Sequence, residues 1–306
     1  MKLLVIGGGG QLGSKIIQIA MVRAEVAATY LSRRPMLDDS HIFQVDKTNL
    51  QNIRALAQKL KPDVIVDTAA LHNVDYCETH RQQADAVNVE GSRNVAMAAA
   101  DIGAKVIFVS TDFVFDGSKS NYDEEDEAIP VSYYGQSKLN GELAVAEANS
   151  NSVIARPSVV YSYVDDTGTQ SSSGKPLNFA MWLVQKLAKN EPVRIVSDQY
   201  ASPTLADNLA EAILALTENW KTGIFHTAGA TRLSRYGFAL KLAESLGFNK
   251  QLISAVTTED LHQLAKRPFD SSLSVAKLRR ELNTQMGNID EALKKFKRQY
   301  QGGQEN

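Results

Sequence analysis

The feature that most constrains the fold is a run of glycines near the start of the chain. Gly7, Gly10 and Gly13 follow the apolar run Leu3–Ile6 and lie where a helical pattern begins, at Leu12. Because glycine has no Cβ, such a turn brings bare main chain against an anion at the free N–H groups of a helix. A strand, a glycine turn and a helix in this order are typical of dinucleotide-binding units. We therefore predict that the diphosphate of a dinucleotide contacts Gly7, Gly10, Gln11, Leu12 and Gly13.

Short β-branched runs alternate with longer helical patterns through the first half of the chain, and this alternation indicates a parallel sheet. Runs such as Val106–Val109 are apolar on both faces, as strands covered by helices on both sides must be. After Pro157 the pattern becomes mainly helical. We predict an α/β fold of the Rossmann type, a doubly wound parallel sheet with a smaller, mainly helical C-terminal substrate lobe.

We expect residues 1–160 to form the dinucleotide-binding Rossmann domain, with 191–222 returning to it. Residues 161–190 and 223–306 are expected to form the substrate-binding lobe. The stretch Tyr163–Lys175 is rich in Ser, Thr, Gly and Asp and lacks periodicity, which predicts a mobile loop over a site. After the loop the pattern predicts helices that include one over Glu259–Lys266, and strands near Val193–Val196 and Gly223–Thr227.

Composition narrows the classes of partner. The formal net charge is -2, and the only basic run is Lys294–Arg298, so we expect neither nucleic acid nor a membrane as a partner. The first residues run straight into glycines, so we expect no signal peptide. A single cysteine, Cys77, fits a reducing compartment, and we expect a cytoplasmic location. A homodimer is kept as a candidate assembly.

The end of the second predicted strand bears on which coenzyme binds. An acidic residue there favours a free ribose 2′-hydroxyl, whereas a cation accommodates a 2′-phosphate. The strand ends in Ser32, Arg33 and Arg34 without a carboxylate, so we predict NADPH, with NADH as the alternative, and place Ser32 and Arg33 at the phosphate. Asp46, just after the third strand, is a candidate partner for the adenine amino group.

A tyrosine and a lysine stand four residues apart at the start of a predicted helix. Tyr134 and Lys138 therefore lie on one face, one turn apart. A neighbouring ammonium favours the phenolate, so we expect Lys138 to lower the pKa of Tyr134. A carbonyl that accepts a hydride needs a proton on its oxygen, and such a phenol could supply it.

Hydroxyl groups also follow the strand that ends near Val109, where the carboxyl ends of parallel strands meet a ligand crevice. Thr111 is the candidate for hydrogen bonding a substrate carbonyl. Ser110 is the alternative, because neighbouring strand residues point to opposite faces.

These segments together resemble the extended short-chain dehydrogenase/reductases and, within them, the dTDP-4-dehydrorhamnose reductase group. The similarity runs nearly end to end. Its segments are the glycine turn, Ala69-Ala70, Val74–Glu78, Asn88-Val89, Ser110–Gly117, Tyr134–Lys138, Gly141-Glu142, Asp198-Gln199, Pro203-Thr204, Gly223–His226 and Arg267-Pro268.

The resemblance implies reduction of the 4-keto group of a nucleotide-linked 6-deoxy sugar, most simply dTDP-4-dehydrorhamnose to dTDP-rhamnose. It implies Thr111, Tyr134 and Lys138 as the catalytic set, with Tyr134 the proton donor and Lys138 also holding the nicotinamide ribose. It further places Ala69, Ala70 and Asn88, together with Tyr134 and Lys138, at the coenzyme. Its dehydratase relatives carry an acid where this chain has Phe113, so dehydration is disfavoured.

Two other functions remain open on the sequence. The regulatory β subunit of methionine adenosyltransferase is similar to this group and binds a partner, and sugar-nucleotide epimerases hold NAD tightly. The segment Arg156–Tyr161 departs from the group's usual Arg, Thr and Trp before Val-Tyr, which leaves the exact sugar and base open. One loop gathers His72, Asp75, Cys77, Glu78 and His80, but their spacing matches no metal-ligand pattern, so we expect no metal there.

Overall fold

The computed structural model describes residues 1–164 and 178–302. Most of the loop predicted over Tyr163–Lys175 therefore lies outside the described residues. The strands are β1 (Lys2–Ile6), β2 (Glu25–Tyr30), β3 (Ile42–Gln44), β4 (Val64–Asp67), β5 (Lys105–Val109), β6 (Ser152–Arg156), β7 (Val160–Tyr161), β8 (Val193–Val196), β9 (Tyr200–Ala201), β10 (Thr204–Leu205), β11 (Gly223–His226), β12 (Leu233–Ser234) and β13 (Ile253–Val256).

The helices are α1 (Gln11–Ala20), α2 (Leu50–Leu60), α3 (Val74–Thr79), α4 (Arg81–Asp85), α5 (Gly91–Asp101), α6 (Tyr133–Ala148), α7 (Phe179–Ala188), α8 (Ala206–Glu218), α9 (Arg235–Leu246), α10 (Ala276–Leu282) and α11 (Ile289–Gly302). A π-helical segment, Ala86–Glu90, joins α4 to α5. In the described ranges no helix is both long and apolar enough to cross a membrane.

Seven parallel strands form the main sheet, in the order β11-β6-β5-β4-β1-β2-β3. This confirms the Rossmann-type doubly wound sheet. The order reverses between β1 and β4, so the crevice at their carboxyl ends is where this fold binds ligands. Gly7, Thr68, Ser110 and Thr111 all lie at that edge, just after β1, β4 and β5.

Both faces of the sheet are covered, which explains the continuous apolar runs of the central strands. Side chains of α1, α8 and α10 pack on one face around Ile16, Ile213 and Leu278. Side chains of α2, α5 and α6 pack on the other around Ile53 and Val145. A separate apolar cluster lies between α7, α9 and α11 and includes β8 and β13, and it forms the core of the smaller lobe.

Two strands join a different part of the fold from the one expected from the sequence. The strand β11 lies in the main sheet beside β6, although residues 223–306 were expected in the lobe. The strand β8 pairs with β13 in the lobe, although residues 191–222 were expected to return to the dinucleotide-binding domain; of that range, α8 does pack against α1. A short apolar strand carries no mark of which sheet it will join, because pairing depends on distant partners.

The helix predicted over Glu259–Lys266 is wrong. A single 3-10 turn, Glu259–Leu261, ends at His262 in the left-handed region with φ 46°. The carboxylate of Asp198 accepts the backbone N–H and hydroxyl of Thr258 at the start of this segment. Inside the predicted helix, the Ala265 N–H donates to Asp75 at 3.2 Å and is therefore not available for a helical hydrogen bond.

Candidate active site

The glycine turn has the geometry of an anion cradle. Gly7 adopts φ 83°, and a Cβ on Gly13 would lie 2.4 Å from the carbonyl oxygen of Gly7. The Gly10 N–H donates to that same oxygen at 2.9 Å, which closes the turn. Gly10 precedes α1, and no side chain caps this helix. The exposed start of α1 is therefore main chain that fits a diphosphate, with Gln11, Leu12 and Gly13 in its first turn.

The two arginines after β2 have different surroundings. Arg34 pairs with Asp39, whereas Arg33 forms no ion pair with any residue of the described ranges. Arg33 is exposed, and its carbonyl oxygen lies so close to Gly9 that a Cβ there would be 1.8 Å away. Ser32 is exposed beside it. The predicted phosphate-binding pair therefore lies against the glycine turn.

The loop after β4 lies against the same turn. A Cβ on Gly7 would be 3.0 Å from the Cβ of Ala69. Ala69 and Ala70 are partly buried. The side chain of Asn88 is fully buried, donates to the Leu71 carbonyl at 3.0 Å and accepts from the Leu71 N–H at 2.9 Å. Asn88 thus holds the loop from beneath, and its amide also donates to Ser137.

Asp46 is exposed, as a partner for an adenine amino group would need to be. One of its oxygens accepts the backbone N–H and the hydroxyl of Thr48, each at 2.9 Å.

Thr111 and Tyr134 are brought together. Both are buried, and the Thr111 hydroxyl is close enough to the phenol to lower its pKa, although burial outweighs this effect. Thr111 follows β5, while Tyr134 lies in the first turn of α6, whose start is capped by Ser132. The hydroxyl of Ser110 instead donates to Glu142, which forms a buried ion pair with Arg156. Of the two candidate hydroxyls, Thr111 is therefore the one that reaches the phenol.

Lys138 lies one turn after Tyr134 and is buried. Its ammonium donates to the Val109 carbonyl at 2.7 Å and lies 3.9 Å from the centre of the Phe108 ring. Burial, and then the positive charge of Lys47, lower the pKa of Lys138 to about 7, and the carboxylates of Asp67 and Glu142 oppose this shift.

The pKa of Tyr134 shifts in the direction opposite to our expectation. Burial raises it well above the usual value of a phenol, and the Thr111 hydroxyl opposes only part of the shift. Lys138 is directed to Val109 and is not among the groups that shift this pKa. The expectation that Lys138 lowers the pKa of Tyr134 is therefore wrong in this structure, and the phenol is neutral near pH 7.

Asp112 is a buried residue of the site to which the sequence analysis gave no role. Its carboxylate accepts hydrogen bonds from Ser158 at 2.7 Å and Ser271 at 2.5 Å, and from Thr111 at 3.1 Å. Burial raises its pKa, while these hydroxyls and the charge of Arg235 oppose the rise. An acid beside Thr111 was a visible signal, but Ser271 lies 159 positions away in sequence.

Two arginines of the C-terminal half extend the wall of the crevice. Arg267 is partly buried, pairs with Asp75 at 2.6 Å and donates to the Ala265 carbonyl. Arg235 begins α9, lies 5.6 Å from the centre of the Phe179 ring and has its charge near those of Asp112 and Arg267. Arg235 is thus a buried cation whose charge lies near the carboxylate of Asp112, next to Thr111.

Cys77 lies in the loop that groups several potential metal ligands. Its thiol is buried, and burial raises its pKa to about 11. A thiol with a raised pKa is a poor nucleophile and a poor metal ligand at neutral pH.

Comparison with known proteins places this arrangement among reductases. The family model described as RmlD substrate binding domain matches residues 1–301. A probable low-salt glycan biosynthesis reductase of Haloferax volcanii is 32% identical over 96% of each chain. A dTDP-4-dehydrorhamnose reductase of Aggregatibacter actinomycetemcomitans is 32% identical and covers 97% of this chain and 98% of its own.

A solved structure shows the same architecture. The dTDP-4-dehydrorhamnose reductase of Bacillus anthracis, crystallised in complex with NADP, superimposes with a TM-score of 0.85. It is 28% identical, and the match covers 96% of this chain and 98% of that one.

Proposed function

The chain belongs to the family described as RmlD substrate binding domain, the dTDP-4-dehydrorhamnose reductase group of the extended short-chain dehydrogenase/reductases, and we propose that it reduces the 4-keto group of a nucleotide-linked 6-deoxy sugar with NADPH. The first substrate we expect is dTDP-4-dehydrorhamnose, giving dTDP-rhamnose. The observation that carries the proposal is the burial of Thr111 and Tyr134, with Lys138 one turn further along α6, at the carboxyl edge of the sheet.

Tyr134 has the protonation state that a reductase needs. Reducing a ketone places a hydride on carbon and a proton on oxygen, and NADPH supplies the hydride when it is bound. A phenol is protonated near neutral pH, and burial, which raises the pKa of Tyr134, keeps it so, so the side chain carries a proton for the carbonyl oxygen. Thr111, whose hydroxyl donates to Asp112 beside the phenol, orients the carbonyl oxygen.

Lys138 belongs to the proposed catalytic set through its place beside the coenzyme site, because it is not among the groups that shift the pKa of Tyr134. Its ammonium is held in place by the Val109 carbonyl, one helical turn from Tyr134. From this position we assign it the ribose of the coenzyme as well.

The remaining coenzyme contacts are assigned to residues at the carboxyl edge of the main sheet. Main chain of the glycine turn and of the start of α1 binds the diphosphate, and Ser32 and Arg33 bind the 2′-phosphate. Asp46 binds the adenine amino group, and Ala69 and Ala70 line the nicotinamide side. Asn88 acts on the coenzyme through Leu71, because its amide is bonded to that residue and to Ser137.

Three broader properties belong to the same proposal. The coenzyme-binding unit comprises residues 1–160 together with α8 and β11, and the substrate lobe comprises the remaining C-terminal segments, including β8 and β13. A nucleotide sugar is the partner. A cytoplasmic location and a homodimer are further expectations, to be tested by fractionation and by light scattering.

The test is the loss of nicotinamide absorbance on mixing the protein with NADPH and a panel of keto sugars. The panel holds dTDP-4-dehydrorhamnose, the corresponding uridine compound and a 4-keto sugar without a nucleotide. We expect consumption of NADPH with the first and little with the last. Tight binding of NADPH without turnover of any nucleotide-linked keto sugar would reject the proposal.

A further inference from the structure

A buried lysine that the sequence analysis did not single out lies beneath the coenzyme loop. Lys47 follows β3 and is 4% exposed. Its ammonium donates to Asp67 Oδ2 at 2.7 Å, to the Ala69 carbonyl at 2.6 Å and to Ser92 Oγ at 3.0 Å. An ammonium has three hydrogens, and all three are used. This complete set of acceptors compensates for burying the charge.

Asp67 ends β4 and fixes the same loop from the other side. One carboxylate oxygen accepts from Lys47, and the other accepts the Ala69 N–H at 3.1 Å. The N–H of Ala69 is thus held by Asp67 and its carbonyl by Lys47. Asp67 is itself held in register with Ile6 of β1 and Phe108 of β5.

Ala69 transmits this arrangement to the glycine turn. A Cβ on Gly7 would meet Ala69 Cβ at 3.0 Å and the Ala69 nitrogen at 3.1 Å, so the two segments are in close contact. Thr68 adds a hydrogen bond from its hydroxyl to the Ile6 carbonyl at 2.8 Å. The position of Ala69 therefore fixes how closely bare main chain can approach a diphosphate.

The helix α5 is shaped to admit this lysine. A Cβ on Gly91 would lie 2.9 Å from Lys47 Cγ, so only glycine leaves the path of the side chain open. Asn94 of the same helix donates to the Lys47 carbonyl at 3.1 Å. Hydrogen bonds therefore hold both the ammonium and the backbone carbonyl of Lys47.

The charges of Lys47 and Asp67 also act on the pKa of Lys138, in opposite directions. Lys47 lowers the pKa of Lys138, whereas Asp67 raises it. The other groups around Lys138 are Glu142 on its own helix, which also raises the pKa, and the Val109 carbonyl and Phe108 ring of β5.

We propose that Lys47 and Asp67 are positioning residues for coenzyme binding: their ion pair fixes Ala69 against the glycine turn. Neither residue touches the reacting atoms. This inference rests on the proposed function only in taking a nicotinamide dinucleotide as the ligand of the glycine turn.

The first test measures NADPH affinity by titration calorimetry, without any sugar, for wild type, Lys47→Met and Asp67→Asn. Each variant breaks the pair and frees Ala69, so we expect affinity to fall about tenfold or more. Arg54→Met is the matched control, because it breaks an ion pair with Asp101 that is partly exposed, and its affinity should stay near wild type. Asp67→Asn is nearly isosteric and keeps the test valid if Lys47→Met does not fold.

The second readout is the pH dependence of kcat/KM, which loss of stability alone would not shift. The pH at which activity falls through deprotonation of Lys138 should move up in Lys47→Met and down in Asp67→Asn. Unchanged NADPH affinity in both variants, or shifts of this limb in the same direction, would overturn the proposal. Wild type that binds NADPH but reduces no keto sugar would reject the proposed function alone, whereas wild type that binds neither NADPH nor NADH would reject both.

Discussion

Arg33 and Arg34 are adjacent in sequence, but only one of them is free to meet a ligand. Arg34 is paired with Asp39, while Arg33 makes no ion pair within residues 1–164 and 178–302 and lies against Gly9. A guanidinium in this position can bind a phosphate with two parallel hydrogen bonds.

Arg33→Ala should therefore weaken NADPH binding by about tenfold or more and leave NADH binding nearly unchanged, because only NADPH carries the 2′-phosphate. Titration of both coenzymes measures this. Arg34→Ala is the matched control and should retain the wild-type preference. Equal losses for NADPH and NADH in Arg33→Ala would show that Arg33 does not read the 2′-phosphate.

His226 makes the stability of the fold depend on pH. It is fully buried at the end of β11, and its ring lies 5.7 Å from that of Phe115. Burial, and then the charge of Arg156, lower its pKa from 6.5 to about 3. Between these values the unfolded chain takes up a proton that the folded chain does not. Stability is therefore full above pH 6.5 and is lost as the pH falls toward 3.

Replacing this group should flatten that dependence. The loss from one proton approaches about 1.4 kcal/mol per pH unit, so His226→Phe should lose about 2 kcal/mol less than wild type between pH 7.5 and 5. Urea unfolding at the two pH values measures this. His80→Phe, at an exposed position, should behave like wild type. An identical pH dependence in His226→Phe would refute the assignment.

Single site residues could be predicted from the sequence where a short motif combines reactive side chains at a spacing that brings them together. Tyr134 and Lys138 follow from helical spacing, and Thr111 from the end of a strand. Lys47 and Asp112 could not be assigned in this way, because their partners Ser92 and Ser271 are brought close only by the fold. The direction of the pKa shift of Tyr134 was missed for the same reason, since burial is a property of the packed molecule.

The turn between β1 and α1 depends on two glycines for different reasons. Gly13 lies in the helix, where a Cβ would overlap the Gly7 carbonyl oxygen at 2.4 Å. Gly10 is exposed at the start of the helix, where a Cβ would meet only that oxygen, at 3.2 Å. Gly13 is therefore required by the packing of the helix against the turn, whereas Gly10 has open space in front of it, where a ligand could approach.

Gly13→Ala should lower the free energy of unfolding by about 1–3 kcal/mol and also abolish NADPH binding, because the helix must move away from the strand. Gly10→Ala should change stability by less than about 1 kcal/mol and still weaken NADPH binding. Thermal unfolding and coenzyme titration of both variants separate the two effects. Full NADPH affinity in Gly10→Ala would place the diphosphate elsewhere.

Elements were predictable from sequence where they belong to the central sheet. Strands such as β4 and β5 are short, continuous apolar runs rich in β-branched residues, a pattern typical of buried parallel strands. The prediction over Glu259–Lys266 failed because contacts of Asp198 and Asp75 with this segment outweigh its helical propensity. The pairing of β8 and β11 was equally beyond local pattern, since each has four residues and could add to either sheet.

Across the whole molecule, the crevice is held together by buried polar links between distant parts of the chain. Asp112 after β5 binds Ser271 of the C-terminal segment, and Asp75 of α3 binds Arg267. The carboxyl edge of the main sheet and the C-terminal segment therefore form one site.

The most direct measurement of this account is NADPH consumption with dTDP-4-dehydrorhamnose by wild type and by Tyr134→Phe, with coenzyme affinity measured alongside. The account predicts turnover by wild type and a loss of about 10²- to 10⁴-fold in kcat for Tyr134→Phe, since only the proton donor is removed, with NADPH affinity nearly unchanged. A Tyr134→Phe variant that turns over at the wild-type rate would contradict it.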